Sequence, residues 1–166
     1  DLNFDETVNF DSGSGNLYVS MEGPMGCCMF EDDESGIYNI GLRFISPSGQ
    51  VEDIFVRGQD PLNVISGSWS EYSVYSPAMI YGNSIDYAQF ELIFPANIEL
   101  GTYQLQIIVT DVAGNELIIE GDELSSLNQS GNYSSITFKT ESQIYINDYG
   151  NIPILNWGWG LSQLVL

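Results

Sequence analysis

Hydrophobic and polar positions alternate with a period of two along most of the chain. The clearest runs lie at residues 17–21, 38–44, 88–94 and 103–109, where apolar side chains recur at every second position. In a β-strand, successive side chains point to opposite faces of the sheet, so each run gives one apolar and one polar face. The pattern therefore predicts antiparallel sheets with one face against a core and one in water.

Short segments rich in glycine, serine, proline and asparagine separate these runs. They include SGSG at 12–15, SPSG at 46–49 and AGN at 113–115. Many short strands divided by such turns are typical of an antiparallel β-sandwich, so we predict an all-β fold. Helix is expected only as a turn or two around residues 122–127. Residues 61–81 are predicted to be an irregular insertion.

Composition narrows the range of functions that the protein could have. The 166-residue chain is long enough to bury a core, and it carries 3 basic against 23 acidic residues, a net charge of −20. Such a charge argues against nucleic acid and anionic membrane surfaces as partners, and it suits either a solvated acidic coat or divalent cations. The chain has no histidine, no run of 18 apolar residues and no recognised catalytic motif. We therefore expect neither an enzyme nor a membrane-inserted protein.

The cysteines give no information about the cellular compartment. Cys27 and Cys28 are adjacent, so they cannot form an ordinary long-range disulfide with each other. Burial in the fold, a vicinal disulfide and intermolecular pairing are all open interpretations.

Two segments resemble a known family. DDESGIYNIGLRFISPSGQ at 32–50 and GTYQLQIIVTDVAGNEL at 101–117 are similar to the Ig-like domains of large secreted and surface proteins of bacteria. The resemblance covers residues 1–138. It implies an Ig-like sandwich in an extracellular or cell-surface adhesin-type protein, acting in adhesion or display. The Gly-Thr-Tyr sequence also resembles a tyrosine corner, in which Tyr103 bonds upstream backbone.

Strand order predicts that acidic loops meet at one end of this sandwich. The residues concerned are Asp32, Asp33, Asp86, Asp111 and Asn115. Their oxygens are of the kind that Ca²⁺ prefers, and no basic neighbour in sequence neutralises them. The alternative is that Asp111 and Asn115 only stabilise their own turn by hydrogen bonds to its backbone. Calcium is the only cofactor that the sequence suggests.

The insertion carries the candidate ligand-binding aromatics, Trp69, Tyr72, Tyr75 and Tyr81. Exposed rings stack on sugars or anchor protein interfaces, so a carbohydrate-binding module is the alternative function, with a glycan or a surface protein as partner. Rings that cover a sheet edge or fill the core would have only a structural role.

Residues 139–166 form a second predicted unit. SQIYIN, DYGN and IPILNW are typical of a hairpin, and the remaining segment is strongly apolar. An apolar terminus must pack somewhere, either on its own domain or as an added strand on a neighbouring domain or subunit. The second arrangement would make the protein a structural subunit of an extracellular polymer.

Overall fold

The structure, a computed structural model, describes residues 1–10, 13–24, 28–58 and 63–140. Within these residues the chain is mostly β-sheet, with one short helix, α1 (Gly121–Leu127), and a 3-10 turn at Ser70–Tyr72. The predicted all-β class and the short helix are confirmed. The strands are β1 (Leu2–Phe4), β2 (Thr7–Asn9), β3 (Ser14–Glu22), β4 (Phe30–Glu31), β5 (Ile37–Ile45), β6 (Val51–Arg57), β7 (Val64–Ser66), β8 (Ser73–Tyr75), β9 (Ala78–Tyr81), β10 (Ser84–Pro95), β11 (Gly101–Asp111), β12 (Glu116–Ile119) and β13 (Ser135–Lys139).

The strands form two sheets that pack as a sandwich. The first sheet has β3 between β1 and β10, and β4, β8 and β9 also pair with β10. The second has the order β2-β13-β11-β5-β6-β7, with β12 also paired to β11. Neighbouring described strands are antiparallel apart from β2, which runs parallel to β13. Strands β1, β3 and β10 thus lie in one sheet, and β5, β11 and β13 lie in the other.

The period-two pattern correctly identifies the buried face of most long strands. In β10, Ala88, Phe90, Leu92 and Phe94 are buried, as predicted. Strand β5 differs at its start, because Tyr38 is exposed although it belongs to the predicted apolar series. The pairing of β5 with β11 shifts by one residue at this point, and the bulge turns Tyr38 out of the core.

The insertion is more regular than predicted. Strand β7 pairs with β6 in the second sheet, whereas β8 and β9 pair with β10 in the first. The segment therefore crosses from one sheet to the other instead of forming an irregular loop. Gly67 lies within this crossing at φ +107, and a Cβ there would stand 2.4 Å from the carbonyl oxygen of Asp53. Only glycine fits this close approach without strain.

Tyr103, at the start of β11, connects the core to the preceding turn through a buried ring and a hydroxyl hydrogen bond. Its ring is buried, and its hydroxyl donates a 2.9 Å hydrogen bond to the backbone carbonyl of Glu99. Burial raises the pKa of Tyr103 to about 12. The predicted tyrosine corner is present.

Two sequence predictions lie outside the described residues. The hairpin or strand expected at 139–166 falls beyond residue 140, although Lys139 ends β13. Cys27 is also outside, whereas the thiol of Cys28 donates a hydrogen bond to the carboxylate of Glu31.

Candidate functional site

Three loops meet at one end of the sandwich, as strand order predicts. The backbone N–H of Ile37 donates to the carbonyl of Gly82 at 2.7 Å, which joins the loop before β5 to the turn before β10. The backbone N–H of Val112 donates to the carbonyl of Gly36 at 2.9 Å, which joins the turn after β11 to the same loop. We call this end of the molecule, with the side chains of Asp32, Asp111 and Asn115, the acidic pole.

Asp111 organises the turn between β11 and β12. Its carboxylate accepts hydrogen bonds from the backbone N–H and the side-chain amide of Asn115, both at 2.7 Å. These bonds, the side-chain one first, hold the pKa of Asp111 below its ordinary value. Gly114 supplies the positive φ of 91° that the turn requires. The turn role considered for Asp111 and Asn115 is therefore visible in the contacts.

Asp32 plays a similar part in the loop before β5. It accepts hydrogen bonds from the hydroxyl of Ser35 at 2.8 Å and from the backbone N–H of Glu34 at 3.1 Å. These bonds lower the pKa of Asp32, and the nearby charge of Asp111 opposes that shift. Two carboxylates from distant parts of the sequence thus lie close enough to interact.

A cleft of about 260 Å³ opens between these carboxylates. Its acidic rim includes Asp32 and Asp111, and Asn115 also lines it. Its apolar lining comes from residues of β4, β5, β11 and β12, namely Phe30, Ile37, Val109 and Leu117.

The other two predicted metal ligands do not line this cleft. Asp33 lies beside Asn83, whose side-chain amide donates to it at 3.5 Å, and Asp86 lies in β10. Among the described residues, no three His, Cys, Asp or Glu side chains are grouped so that they could hold a metal ion. Of the five predicted ligands, the structure brings Asp32, Asp111 and Asn115 together.

The predicted aromatic site divides into buried and exposed rings. Trp69 is only 6% exposed and lies in the centre of the core, 4.8 Å from the Phe44 ring and 4.9 Å from the Phe94 ring. Tyr72 is half-buried and packs against Trp69 and Phe94. Of the two roles considered for Trp69, the structure shows the core position and not an exposed ligand-binding ring, because the insertion folds back between the sheets. Tyr75 and Tyr81 are exposed.

Sequence reasoning missed a second group of side chains on the outer face of the first sheet. Tyr18 is 45% exposed, and its partner across the strands is Glu91. Tyr87 and Gln89 precede Glu91 on the same face of β10. The alternation at residues 16–22 and 87–91 was the available signal, since it marks these positions as the polar face.

No protein-family model matches the chain, and no curated protein matches it either. Over the described residues, no helix combines the length and apolarity that crossing a membrane requires.

Proposed function

We propose that the chain is a non-catalytic, extracellular Ig-like module of a bacterial surface or secreted protein, acting in adhesion or display. The observation that carries this proposal is the division of strands between the sheets. Strands β1, β3 and β10 form one layer, and β5, β11 and β13 belong to the other, with a tyrosine corner at the start of β11. This arrangement agrees with the Ig-like resemblance of residues 1–138.

The surface also suits such a role. With a net charge of −20, the module repels other acidic modules, which opposes aggregation. Its turns are tied by backbone and side-chain hydrogen bonds, and a rigid sandwich of this kind can present loops or a sheet face to a partner.

Cell-surface exposure tests the proposal. An antibody raised against residues 1–138 is expected to label intact cells of the source bacterium, or to find the parent protein in the culture medium. Brief protease treatment of intact cells should then remove the cell-bound signal. Labelling that appears only after lysis, with none in the medium, would overturn the extracellular assignment.

Calcium at the acidic pole is a second part of the proposal. Asp32 and Asp111 provide carboxylate oxygens from opposed loops, and Asn115 provides an amide, which are groups that suit Ca²⁺. We expect weak binding, with a Kd on the order of 10⁻⁴–10⁻³ M as in other extracellular modules. At a hundredfold excess over Kd, calcium should then stabilise the folded state by about 2.7 kcal/mol.

The calcium test compares melting temperatures in roughly 10–100 mM CaCl₂, about a hundredfold above the expected Kd, and in NaCl of equal ionic strength. Wild type and Asp33→Asn should both gain from calcium, because Asp33 lies outside the cleft. Asp111→Asn should lose this gain. If calcium adds nothing beyond sodium in wild type, Asp111 and Asn115 act only within their turn.

A further inference from the structure

The outer face of the first sheet carries two exposed tyrosines on either side of a carboxylate. Glu91 in the long strand β10 pairs with Tyr18 of β3 on one side and with Tyr75 of β8 on the other. Two strand spacings separate the tyrosines, which is roughly 10 Å. Tyr18 is 45% exposed and Tyr75 is 54% exposed, so both rings are accessible on the same face.

A chain of hydrogen bonds runs along β10 between these rings. The hydroxyl of Tyr87 donates to the side-chain oxygen of Gln89, and the amide nitrogen of Gln89 donates to Glu91 at 2.6 Å. Gln89 is buried by its neighbours, so its side chain is already ordered. Its hydrogen bond therefore holds Glu91 in place, and ligand binding costs little further side-chain entropy. The carboxylate of Glu91 is therefore preorganised and retains acceptor capacity for a ligand.

A shallow cavity of about 310 Å³ lies against Tyr18 and Glu91 on this face. This volume is at the lower end for small-molecule sites. Its lining is mixed: Val74 and Ile93 provide apolar surface, and Asp5 provides a second carboxylate. No basic side chain lines it.

We propose that this face, defined by Tyr18, Tyr75, Tyr87, Gln89 and Glu91, binds an uncharged polysaccharide. A tyrosine ring offers an apolar surface on which the C–H face of a sugar ring can stack, while its hydroxyl remains polar. A second sugar further along the chain can reach the other tyrosine. Because the cavity is shallow, it does not close around a single sugar, and the face suits a chain laid across the strands.

The charges on this face define the ligand further. Glu91 and Asp5 accept hydrogen bonds, and a neutral sugar can donate them from its hydroxyls. An acidic sugar would bring its own carboxylates against Asp5 and Glu91 with no basic residue at the cavity to compensate. The face therefore selects against anionic glycans. This inference rests on the binding role within the proposed function and names its ligand.

The test uses titration calorimetry of the full chain with soluble neutral glucan, mannan, xylan and galactan. At least one should bind, and Tyr18→Ala and Tyr75→Ala should each weaken that binding by about tenfold. Glu91→Gln should also weaken it, because a ligand hydroxyl loses a charged acceptor. The matched control is Tyr38→Ala, which removes an exposed tyrosine from the other sheet and should leave affinity unchanged. Melting curves verify that each variant is folded.

Charged polymers complete the experiment. A polyuronate should bind more weakly than the neutral polymer. The proposal would be overturned if oligolysine or polyglucosamine bound, with an affinity that falls as salt rises, while no neutral polymer did. The face would then be assigned to cationic ligands. Binding that survives both tyrosine variants would also overturn it, as would absence of binding to all four neutral polymers. None of these outcomes affects the cell-surface test, so the proposed extracellular role can stand or fall separately.

Discussion

Replacing Trp69 separates a core role from a ligand-binding role. The indole lies between the sheets, with the Phe44, Phe94 and Tyr103 rings 4.8, 4.9 and 5.8 Å away. An aromatic side chain of this kind buries roughly 200 Å², and at about 25 cal/mol per Å² this is worth about 5 kcal/mol. Truncation to alanine retains part of that contribution and leaves a cavity. We therefore expect Trp69→Ala to cost about 3–5 kcal/mol.

Urea unfolding followed by far-UV circular dichroism measures this loss without relying on tryptophan emission. The transition midpoint should fall sharply while its slope stays unchanged, because unfolding exposes nearly the same surface area in the variant as in wild type. Trp69→Phe should lose less than Trp69→Ala, since the smaller ring refills part of the space. This variant gives a measurable value if the alanine variant does not fold, because typical domains have only about 5–15 kcal/mol of stability.

Tyr75→Ala provides the comparison within the same insertion. Tyr75 is 54% exposed, so its truncation should change stability by no more than about 0.5 kcal/mol. A loss below about 1 kcal/mol in Trp69→Ala, or a loss equal to that in Tyr75→Ala, would refute the core assignment.

Two further predictions concern ionisable groups with shifted pKa values. Tyr103→Phe should lower stability by about 0.5–1.5 kcal/mol in urea titrations at neutral pH, because it removes the hydrogen bond to Glu99. In wild type, the raised pKa of Tyr103 contributes stability that is lost as pH rises from about 10 towards 12. The phenylalanine variant should lack this pH-dependent loss of stability. Identical alkaline stability profiles in the two proteins would contradict the prediction. The lowered pKa of Asp111 contributes stability above its ordinary value of 3.8 that is lost as pH falls through the folded-state pKa. Asp111→Asn should therefore have a lower melting temperature at neutral pH and a shallower acid decline than wild type, and a parallel decline in both would show that Asp111 is not the group responsible.

The sequence alone determines the local β-structure of the long strands, although not that of the insertion. Alternation at residues 88–94 and 103–109 identifies the apolar face of each strand, because strand geometry fixes the period and burial selects the apolar face. Turn-forming residues mark where strands reverse, and a turn or two of helix is expected around residues 122–127. Strand order then predicts that the loops holding Asp32 and Asp111 meet at one end, as the contacts of Gly36 show.

Only the tertiary structure decides which aromatics are inside. Trp69 and Tyr75 belong to one insertion with no clear periodicity, and their sequence neighbourhood does not show that the chain crosses between the sheets there. The crossing places Trp69 in the core, whereas Tyr75 is the cross-strand partner of Glu91 on the outer face of the first sheet. Burial of these rings depends on long-range strand pairing, which a local pattern does not encode. The same reason applies to Tyr38, whose exposure follows from a bulge set by the partner strand.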